Sequence, residues 1–261
     1  MVSGAGGAGV PRLLVLTDRH QAAAAGRTVT ATIAAAVRGG ARAVVLREKD
    51  LPAGERLAAA RALRDVLDPV GGALIVASDA GVARRSGASG VHLARGENPP
   101  AGTDLLCGRS CHDAAELAAA ARLRLDYVTL SPVYATSSKP GYGPALTPFG
   151  PVPPDPPSRT PEAAPPVEAA GGVPPGRARA GGMAGLVAGT PGCPRVFALG
   201  GITPERVADC LAAGAYGVAV MGGIMGAADP ERVVRNLSAA LREGNGPFHP
   251  RPDEARRNPP R

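Results

Sequence analysis

The chain has 261 residues, among them 36 Gly, 28 Pro and no Trp, and its formal charge is +7. Aromatic residues make up only 3% of it, which disfavours a stacking platform for nucleic-acid bases. No apolar run is long enough for a transmembrane helix, so no membrane segment is expected. Of the 29 basic residues only Lys49 and Lys139 are lysines, which makes them the first candidates for a role that needs an ammonium group.

The charges and cysteines indicate a cytoplasmic protein that handles small anions. The arginines are scattered and no Lys-rich tract occurs, so we expect phosphorylated small molecules, rather than nucleic acid or a membrane, as partners. The four cysteines form no CxxC pair and no zinc spacing, which is typical of buried thiols in a reducing compartment. The N-terminus lacks the basic and apolar regions of a secretory signal. Assembly with further copies of the same chain into a homo-oligomer is compatible with this composition.

Eight short, continuous apolar runs alternate with Ala-rich stretches. Such runs are typical of strands in a buried parallel sheet. The predicted strands span residues 12–17, 42–47, 73–77, 89–93, 104–107, 125–130, 195–199 and 216–221. The predicted helices span residues 29–38, 53–67, 114–123, 204–213 and 230–243. This alternation predicts an α/β protein with a (β/α)8 TIM barrel as a single domain over 12–243, with abbreviated connections after the third and fourth strands.

Two segments depart from the alternation of strands and helices. Ten prolines fall within residues 151–175, which predicts a disordered Pro/Gly/Ala-rich insertion at 150–180, after the sixth strand. Residues 182–188 are then what remains of the sixth helix. The Pro- and Arg-rich residues 244–261 predict a disordered tail.

Glycine pairs follow the seventh and eighth predicted strands, in Leu-Gly-Gly-Ile at 199–202 and Met-Gly-Gly-Ile at 221–224. Glycines allow backbone amides to approach a phosphate closely, and the ends of these two strands are the favoured phosphate site of TIM barrels. Tight turns in a Gly-rich chain are the alternative. The glycines predicted to bring backbone amides to a phosphate are Gly200 and Gly201 after strand seven, and Gly222 and Gly223 after strand eight.

Two cations and two carboxylates are predicted on the same C-terminal rim of the barrel. Arg47 and Lys49 follow the second strand, and Asp79 and Glu97 follow the third and fourth. Carboxylates bind Mg²⁺ and cations bind phosphate oxygens, so the set suits a diphosphate bound with Mg²⁺. A helix N-cap is the alternative for Asp79, and a solvated loop residue is the alternative for Glu97.

Ser110 and His112 are predicted to follow the fifth strand. No orienting acid accompanies Ser110, and His112 is interpreted as a phosphate ligand, a proton-transfer group or a helix cap. A hydroxyl-rich loop from Thr136 to Lys139 follows the sixth strand. Its composition predicts a flexible lid over an anionic substrate, with a solvated lysine as the alternative.

These residues together resemble the thiamine phosphate synthase family and the related thiazole tautomerase family. The order and spacing of the matching segments agree from about residue 12 to residue 242, apart from the insertion. The matching segments are LREKD at 46–50, SD at 78–79, GVHLARGE at 90–97, GRSCH at 108–112, DYVTLSPVYATSSKPG at 126–141, ALGGITPER at 198–206 and GVAVMGGI at 217–224.

The resemblance implies an enzyme that couples hydroxymethylpyrimidine diphosphate to thiazole phosphate, releasing diphosphate with the help of Mg²⁺. It implies that Arg47 and Lys49 hold the diphosphate and that Asp79 and Glu97 hold Mg²⁺. The other implied contacts are Ser110 and Lys139 to the leaving group, Thr136 and Ser138 near the thiazole side chain, and Gly201, Met221 and Gly222 to the thiazole phosphate.

The chain departs from the synthase pattern at several positions. Val45 stands where the pattern has Gln, Ser78 where it has Asn, Glu97 where it has Asp, and Gly222 where it has Ser. A thiazole tautomerase, which needs thiazole phosphate and a proton shuttle such as His112, is the second hypothesis. A non-catalytic or regulatory barrel that binds a thiazole phosphate is the third.

Overall fold

The computed structural model describes residues 10–136, 145–150 and 182–244. In this part of the chain, parallel strands close into an eight-stranded barrel in sequence order, with the last strand pairing against the first. The strands are β1 (Leu13–Leu16), β2 (Ala43–Leu46), β3 (Ala73–Ala77), β4 (Gly90–Leu93), β5 (Leu106–Cys111), β6 (Tyr127–Leu130), β7 (Arg195–Leu199) and β8 (Gly217–Val220). The predicted TIM barrel is therefore confirmed.

Helices cover the outside of the barrel. They are α1 (Arg19–Ala24), α2 (Val29–Arg38), α3 (Ala53–Leu67), α4 (Ala80–Ser86), α5 (Ala114–Arg122), α6 (Gly182–Ala188), α7 (Val207–Ala212), α8 (Gly222–Met225) and α9 (Pro230–Glu243). Short 3-10 turns lie at Asp68–Val70 and Pro204–Arg206. Among the described helices, none is both long and apolar enough to cross a bilayer.

The strands are apolar on both faces because each face meets protein. Successive side chains of a strand point to opposite sides, so one set fills the barrel and the other packs under the helices. The inner set includes Leu14, Val45 and Ile75, and it also contains the aromatic pair Tyr127 and Phe197. These two rings meet edge to face with their centroids 5.6 Å apart.

A glycine makes room for the largest of these inner side chains. Gly108 of β5 stands opposite Tyr127 of β6, and a Cβ atom added to Gly108 would overlap the Tyr127 ring. Tyr127 is completely buried as a result. The glycine therefore allows an aromatic ring with a polar end to lie inside the barrel beneath the rim.

The structure corrects the predicted end of the fifth strand. The strand was placed at 104–107, but β5 extends to Cys111, so Ser110 lies within the strand and not after it. Its ladder with β6 continues through the pair Ser110 and Thr129, because hydrogen bonds to β6 outweigh the local polar sequence. The abbreviated connection after β4 is confirmed, since the described residues between β4 and β5 form no helix.

Three short helices were not among the predicted ones, namely α1, α4 and α8, although a helix beginning after Asp79 was the alternative interpretation of that residue. The longest of them has seven residues, which gives too few turns for a recognisable apolar period. Two of these helices begin at a side-chain N-cap. Asp18 accepts hydrogen bonds at the start of α1, and Asp79 does so at the start of α4.

The two ends of the undescribed segment 151–181 meet. Met183 N donates to Thr147 O at 2.9 Å. A Cβ atom added to Gly182 would collide with the backbone nitrogen of Gly150. The two ends are therefore already in contact, and the intervening residues have no gap in the barrel to bridge.

Candidate active site

A cavity of about 400 Å³ opens at the C-terminal rim of the barrel. Its wall is built by the residues that follow β6, β7 and β8, together with parts of β1 and the end of β2. Among the predicted site residues, those that line it are Arg47, Thr136, Gly200, Gly201, Met221 and Gly222. Five others lie on neighbouring strands or strand ends outside this lining, namely Lys49, Asp79, Glu97, Ser110 and His112.

The loops after β6 and β7 touch each other at the cavity wall. Tyr134 N donates to Gly200 O at 3.1 Å. Gly201 has a φ of 62°, and a Cβ atom added there would lie 2.5 Å from Ala135 O. Only glycine fits this position, which brings the backbone itself to the cavity surface.

The loop after β8 contributes backbone amides to the same cavity. Gly222 is the first residue of α8, and Gly223 follows it in the lining. The first amides of a helix have no acceptor inside that helix. The side of the cavity formed by β7 and β8 therefore includes the backbone of four glycines, namely Gly200, Gly201, Gly222 and Gly223.

Arg206 is a cavity residue that sequence reasoning missed. Its Nη1 donates to Gly201 O at 2.6 Å, and its guanidinium lies 4.5 Å from the centroid of the Tyr134 ring. These contacts hold a cation beside the glycine loop, where it lines the cavity. Nothing local distinguishes Arg206 among the 27 arginines of the chain, because its role depends on the folding of the loops around it.

Arg47 and Lys49 lie just after the end of β2. Arg47 is half-buried, and its backbone N donates to Thr17 Oγ1 at 2.9 Å, which ties this strand end to β1. Lys49 is more exposed. The pKa of Lys49 is lowered by partial burial of its ammonium and by repulsion from Arg47 and Arg56, while Glu97 opposes this shift. Lys49 therefore interacts electrostatically with both Arg47 and Glu97.

A network of salt bridges supports the loop that carries Lys49. The buried carboxylate of Glu48 accepts from Arg19 N at 3.1 Å and from Arg19 Nη1 at 3.3 Å. Arg19 also makes two 2.6 Å hydrogen bonds to Asp50, one from each terminal nitrogen. Residues on both sides of Lys49 are thus anchored to the start of α1.

Asp79 is the N-cap of α4, which was the alternative interpretation of this residue. Its Oδ1 accepts from Val82 N at 2.8 Å. Its Oδ2 accepts from Arg56 Nη1 at 3.1 Å, and Arg56 Nη2 donates to Lys49 O at 2.9 Å. Arg56, which the sequence analysis did not select, therefore links Asp79 to the loop that carries Lys49.

Glu97 closes its own loop. Its Oε2 accepts from Ala94 N at 2.7 Å, and its backbone carbonyl accepts a hydrogen bond from Arg109. In the described ranges no cluster of three or more His, Cys, Asp or Glu side chains has the geometry of a metal site. Each engaged carboxylate oxygen of Asp79 and Glu97 still has a second lone pair.

Ser110, which is half-buried, is hydrogen-bonded to a buried pair of polar side chains inside the barrel. Its Oγ lies 2.9 Å from Nε2 of His92, and Nδ1 of His92 lies 3.0 Å from Oη of Tyr127. His92 was not among the residues predicted for the site. Burial, with repulsion from Lys49 and Arg47, lowers the pKa of His92 to about 3, so the ring is neutral at physiological pH.

His112 lies between β5 and the start of α5. Its Nδ1 lies 2.7 Å from the carbonyl oxygen of Ser131, which can only accept, so this nitrogen carries a proton. The suggestion that His112 caps the helix is wrong, because Asp113 accepts from Glu116 N at 2.9 Å and is the N-cap. The predicted lid residues Ser138 and Lys139 lie outside the described residues.

Comparison with known proteins decides the family. A family model described as thiamine monophosphate synthase matches residues 13–153. The thiamine-phosphate synthase of Methanoculleus marisnigri is 34% identical over 246 residues, which cover 89% of this chain and 98% of the relative. The chain belongs to the thiamine monophosphate synthase family.

Other relatives of this family agree across most of their length. The thiamine-phosphate synthase of Xanthobacter autotrophicus is 34% identical over 235 residues, covering 88% of this chain and 94% of the relative. Among solved structures, thiamine phosphate pyrophosphorylase from Pyrococcus furiosus superposes with a TM-score of 0.68 at 22% identity, covering 90% of this chain and 97% of that one. The structural likeness establishes the shared barrel.

Proposed function

We propose that this member of the thiamine monophosphate synthase family joins hydroxymethylpyrimidine diphosphate to thiazole phosphate, yielding thiamine phosphate and diphosphate. The rim cavity carries the proposal, since Arg47 and the glycine loops after β7 and β8 line the same cavity. This arrangement supports two anionic subsites that face one another across the barrel mouth. The synthase names of the relatives, which are at least 30% identical over most of both chains, support the same reaction.

The thiazole phosphate is proposed to occupy the side of the cavity formed by β7 and β8. Backbone amides near Gly201 and Gly222 suit phosphate oxygens, since glycine allows the closest approach of the backbone. Met221, which directly precedes Gly222, and Thr136 line the same cavity. Gly222 brings no hydroxyl to the loop, and Arg206 is the cation on this side of the cavity.

The diphosphate is proposed to lie on the side formed by β2 to β5. Arg47 offers two parallel donors and Lys49 a compact charge, and both suit phosphate oxygens. As the bond between the methylene carbon and the diphosphate oxygen breaks, negative charge grows on the leaving group. Cations already in place stabilise that charge without rearrangement. The thiazole nitrogen then forms the new bond to the same carbon, which completes the transfer.

The pyrimidine is proposed to lie between these two subsites, over the inner residues of the barrel. Val45 replaces the Gln of the synthase pattern and is fully buried in the apolar interior. The hydroxyl oxygens of Ser78 and Thr129 are buried with no hydrogen-bond partner in the described part of the chain. These two hydroxyls are therefore candidates to bond the polar atoms of the pyrimidine.

Asp79 and Glu97 fit a Mg²⁺ ion that takes its remaining ligands from substrate phosphates and water, the usual way in which proteins bind this ion. They offer hard oxygen donors with spare lone pairs beside the proposed diphosphate subsite. When bound, Mg²⁺ would neutralise charge on the leaving diphosphate. Arg56 pairs with Asp79 in this structure, so the ion pair and the metal compete for one carboxylate.

Incubation of the purified chain with both substrates and Mg²⁺ tests the proposal. Formation of thiamine phosphate with one diphosphate released per product is the expected result. Isomerisation of thiazole carboxylate phosphate, without coupling, would instead identify a tautomerase that uses His112. Binding of thiazole phosphate with neither reaction would identify a non-catalytic barrel.

A further inference from the structure

Three side chains form a line of hydrogen bonds from the interior of the barrel toward its rim. Tyr127 starts β6 and is fully buried, His92 of β4 is 5% exposed, and Ser110 lies near the end of β5. The two links measure 3.0 Å from Tyr127 Oη to His92 Nδ1 and 2.9 Å from His92 Nε2 to Ser110 Oγ. The direction of donation along this line decides what Ser110 can offer to a ligand.

The buried end of the line sets that direction. In the described ranges the hydroxyl of Tyr127 has His92 Nδ1 as its hydrogen-bond partner. If Nδ1 carried a proton and donated it, the Tyr127 hydroxyl proton would be buried without an acceptor, which is costly. Tyr127 must therefore donate to Nδ1, which places the single proton of the neutral imidazole on Nε2.

Burial, and to a smaller extent the neighbouring charges, keep the imidazole of His92 neutral. Arg47 and Lys49 both follow β2, and the positive charge of each disfavours a second proton on the ring. Burial acts in the same sense. A neutral ring has one donor and one acceptor, so Nε2–H donates to Ser110 Oγ once Nδ1 accepts from Tyr127.

We infer that Tyr127 and His92 are positioning residues that make Ser110 a hydrogen-bond donor toward an anion held by Arg47 and Lys49. Ser110 Oγ already accepts from His92, so its own proton is free to point to a phosphate oxygen. The reverse direction would consume that proton on His92 and turn an oxygen lone pair toward the anion. This inference deepens the proposed function, and the anion is then the diphosphate group.

The tautomer of His92 is measurable without any reaction. Nitrogen-15 NMR of the ¹⁵N-histidine-labelled wild-type chain at neutral pH resolves protonated from unprotonated ring nitrogens for its four histidines. The His92 signals are assigned by their loss in His92→Gln. A protonated Nε2 with an unprotonated Nδ1 is expected. The opposite tautomer would overturn the inference, whether or not the chain proves to be a synthase.

A double-mutant cycle tests the effect on an anion. Binding of inorganic diphosphate with Mg²⁺ is measured by calorimetry for wild type, Ser110→Ala, Tyr127→Phe and the double variant. Each single variant is expected to bind about tenfold more weakly, because a hydrogen bond to a charged group is lost or misdirected. Tyr127→Phe should add no further loss in the Ser110→Ala background, since Tyr127 acts only through that hydroxyl.

Tyr216→Phe is the matched control for the cycle. Tyr216 packs against the same aromatic group, with its ring centroid 5.5 Å from that of Phe197, but its hydroxyl bonds to Val10 O at the other end of the barrel. This variant should bind diphosphate as wild type does. Equal losses from Tyr127→Phe in the wild-type and Ser110→Ala backgrounds would show a merely structural role and refute the inference. A synthase assay that fails while the cycle holds would reject the proposed reaction alone.

Discussion

At the residue scale, the site is a set of polar groups that already bond to one another. Asp79 caps a helix and pairs with Arg56, and Glu97 closes a loop. Ser110 is bonded to a neutral His92. Such bonds hold side chains in place before a ligand arrives, which reduces the reorganisation that a reaction requires.

Arg206→Gln tests the role of the Arg206 cation, which lies beside Gly201 in the cavity. The KM for thiazole phosphate is expected to rise about tenfold, since a charged hydrogen bond to phosphate is lost. The KM for the diphosphate substrate should not change, because that substrate is placed on the opposite side. Steady-state kinetics with each substrate varied in turn measures both values.

Arg232→Gln is the control for that variant, because the side chain is 69% exposed and pairs only loosely with Asp229 at 3.7 Å. It should behave as wild type. An unchanged thiazole phosphate KM in Arg206→Gln would show that Arg206 only braces the loop.

The buried His92 predicts a pH-dependent stability. Its pKa is about 3 in the folded chain and about 6.5 in the unfolded chain, so the unfolded state binds a proton first as the pH falls. The free energy of unfolding is therefore intact above pH 6.5 and is lost between about 6.5 and 3. Relative to His92→Gln, wild type should lose about 1 to 2 kcal/mol between pH 7 and pH 5. Urea unfolding at both pH values measures this difference. Parallel losses in the two proteins would contradict it.

At the scale of secondary-structure elements, β5 and β6 are coupled by a size match. Gly108 has no side chain and Tyr127 has a large one, and the two stand opposite each other. This pairing buries the tyrosine hydroxyl beside His92 and so allows the hydrogen bonds that run from Tyr127 through His92 to Ser110.

Gly108→Ala should destabilise the chain, because its new methyl group would overlap the Tyr127 ring. A loss of about 1 to 3 kcal/mol in the free energy of unfolding is expected for such overpacking. Gly54→Ala is the control, since a Cβ atom at this position in α3 meets nothing within 4 Å. Its change should be neutral or stabilising, as Ala favours helix. Thermal unfolding compares the two, and equal Tm values would refute the size match.

At the scale of the whole molecule, the barrel brings the ends of eight strands to one rim. Residues from β2 and from β8, far apart in the chain, meet there in one cavity. The chain leaves this scaffold at Gly150 and returns at Gly182, and these two residues touch. The barrel therefore does not depend on the length of what lies between them.

Deleting residues 152–175 should leave the Tm and the kcat/KM within a factor of about two of the full-length values. The Pro-rich composition has no apolar period with which to join the core, and the flanking residues already meet. Thermal unfolding and the coupling assay measure the outcome on both proteins in parallel. A collapse of solubility or of rate would show that the segment is part of the working enzyme.

The sequence by itself determined the barrel, the family and the rim on which polar residues gather. Buried parallel strands are continuous apolar runs, and their alternation with helices is a local pattern that needs no contacts to be recognised. The tertiary structure alone decided that Ser110 lies within β5, that Asp79 caps α4, and that Arg56, Arg206 and His92 belong to the site. The Asp79 cap is a local bond to Val82 N, but the other assignments depend on partners distant in the chain, such as Tyr127 for His92. A sequence pattern cannot identify such residues, because their role depends on the side chain or backbone group that folding places next to them.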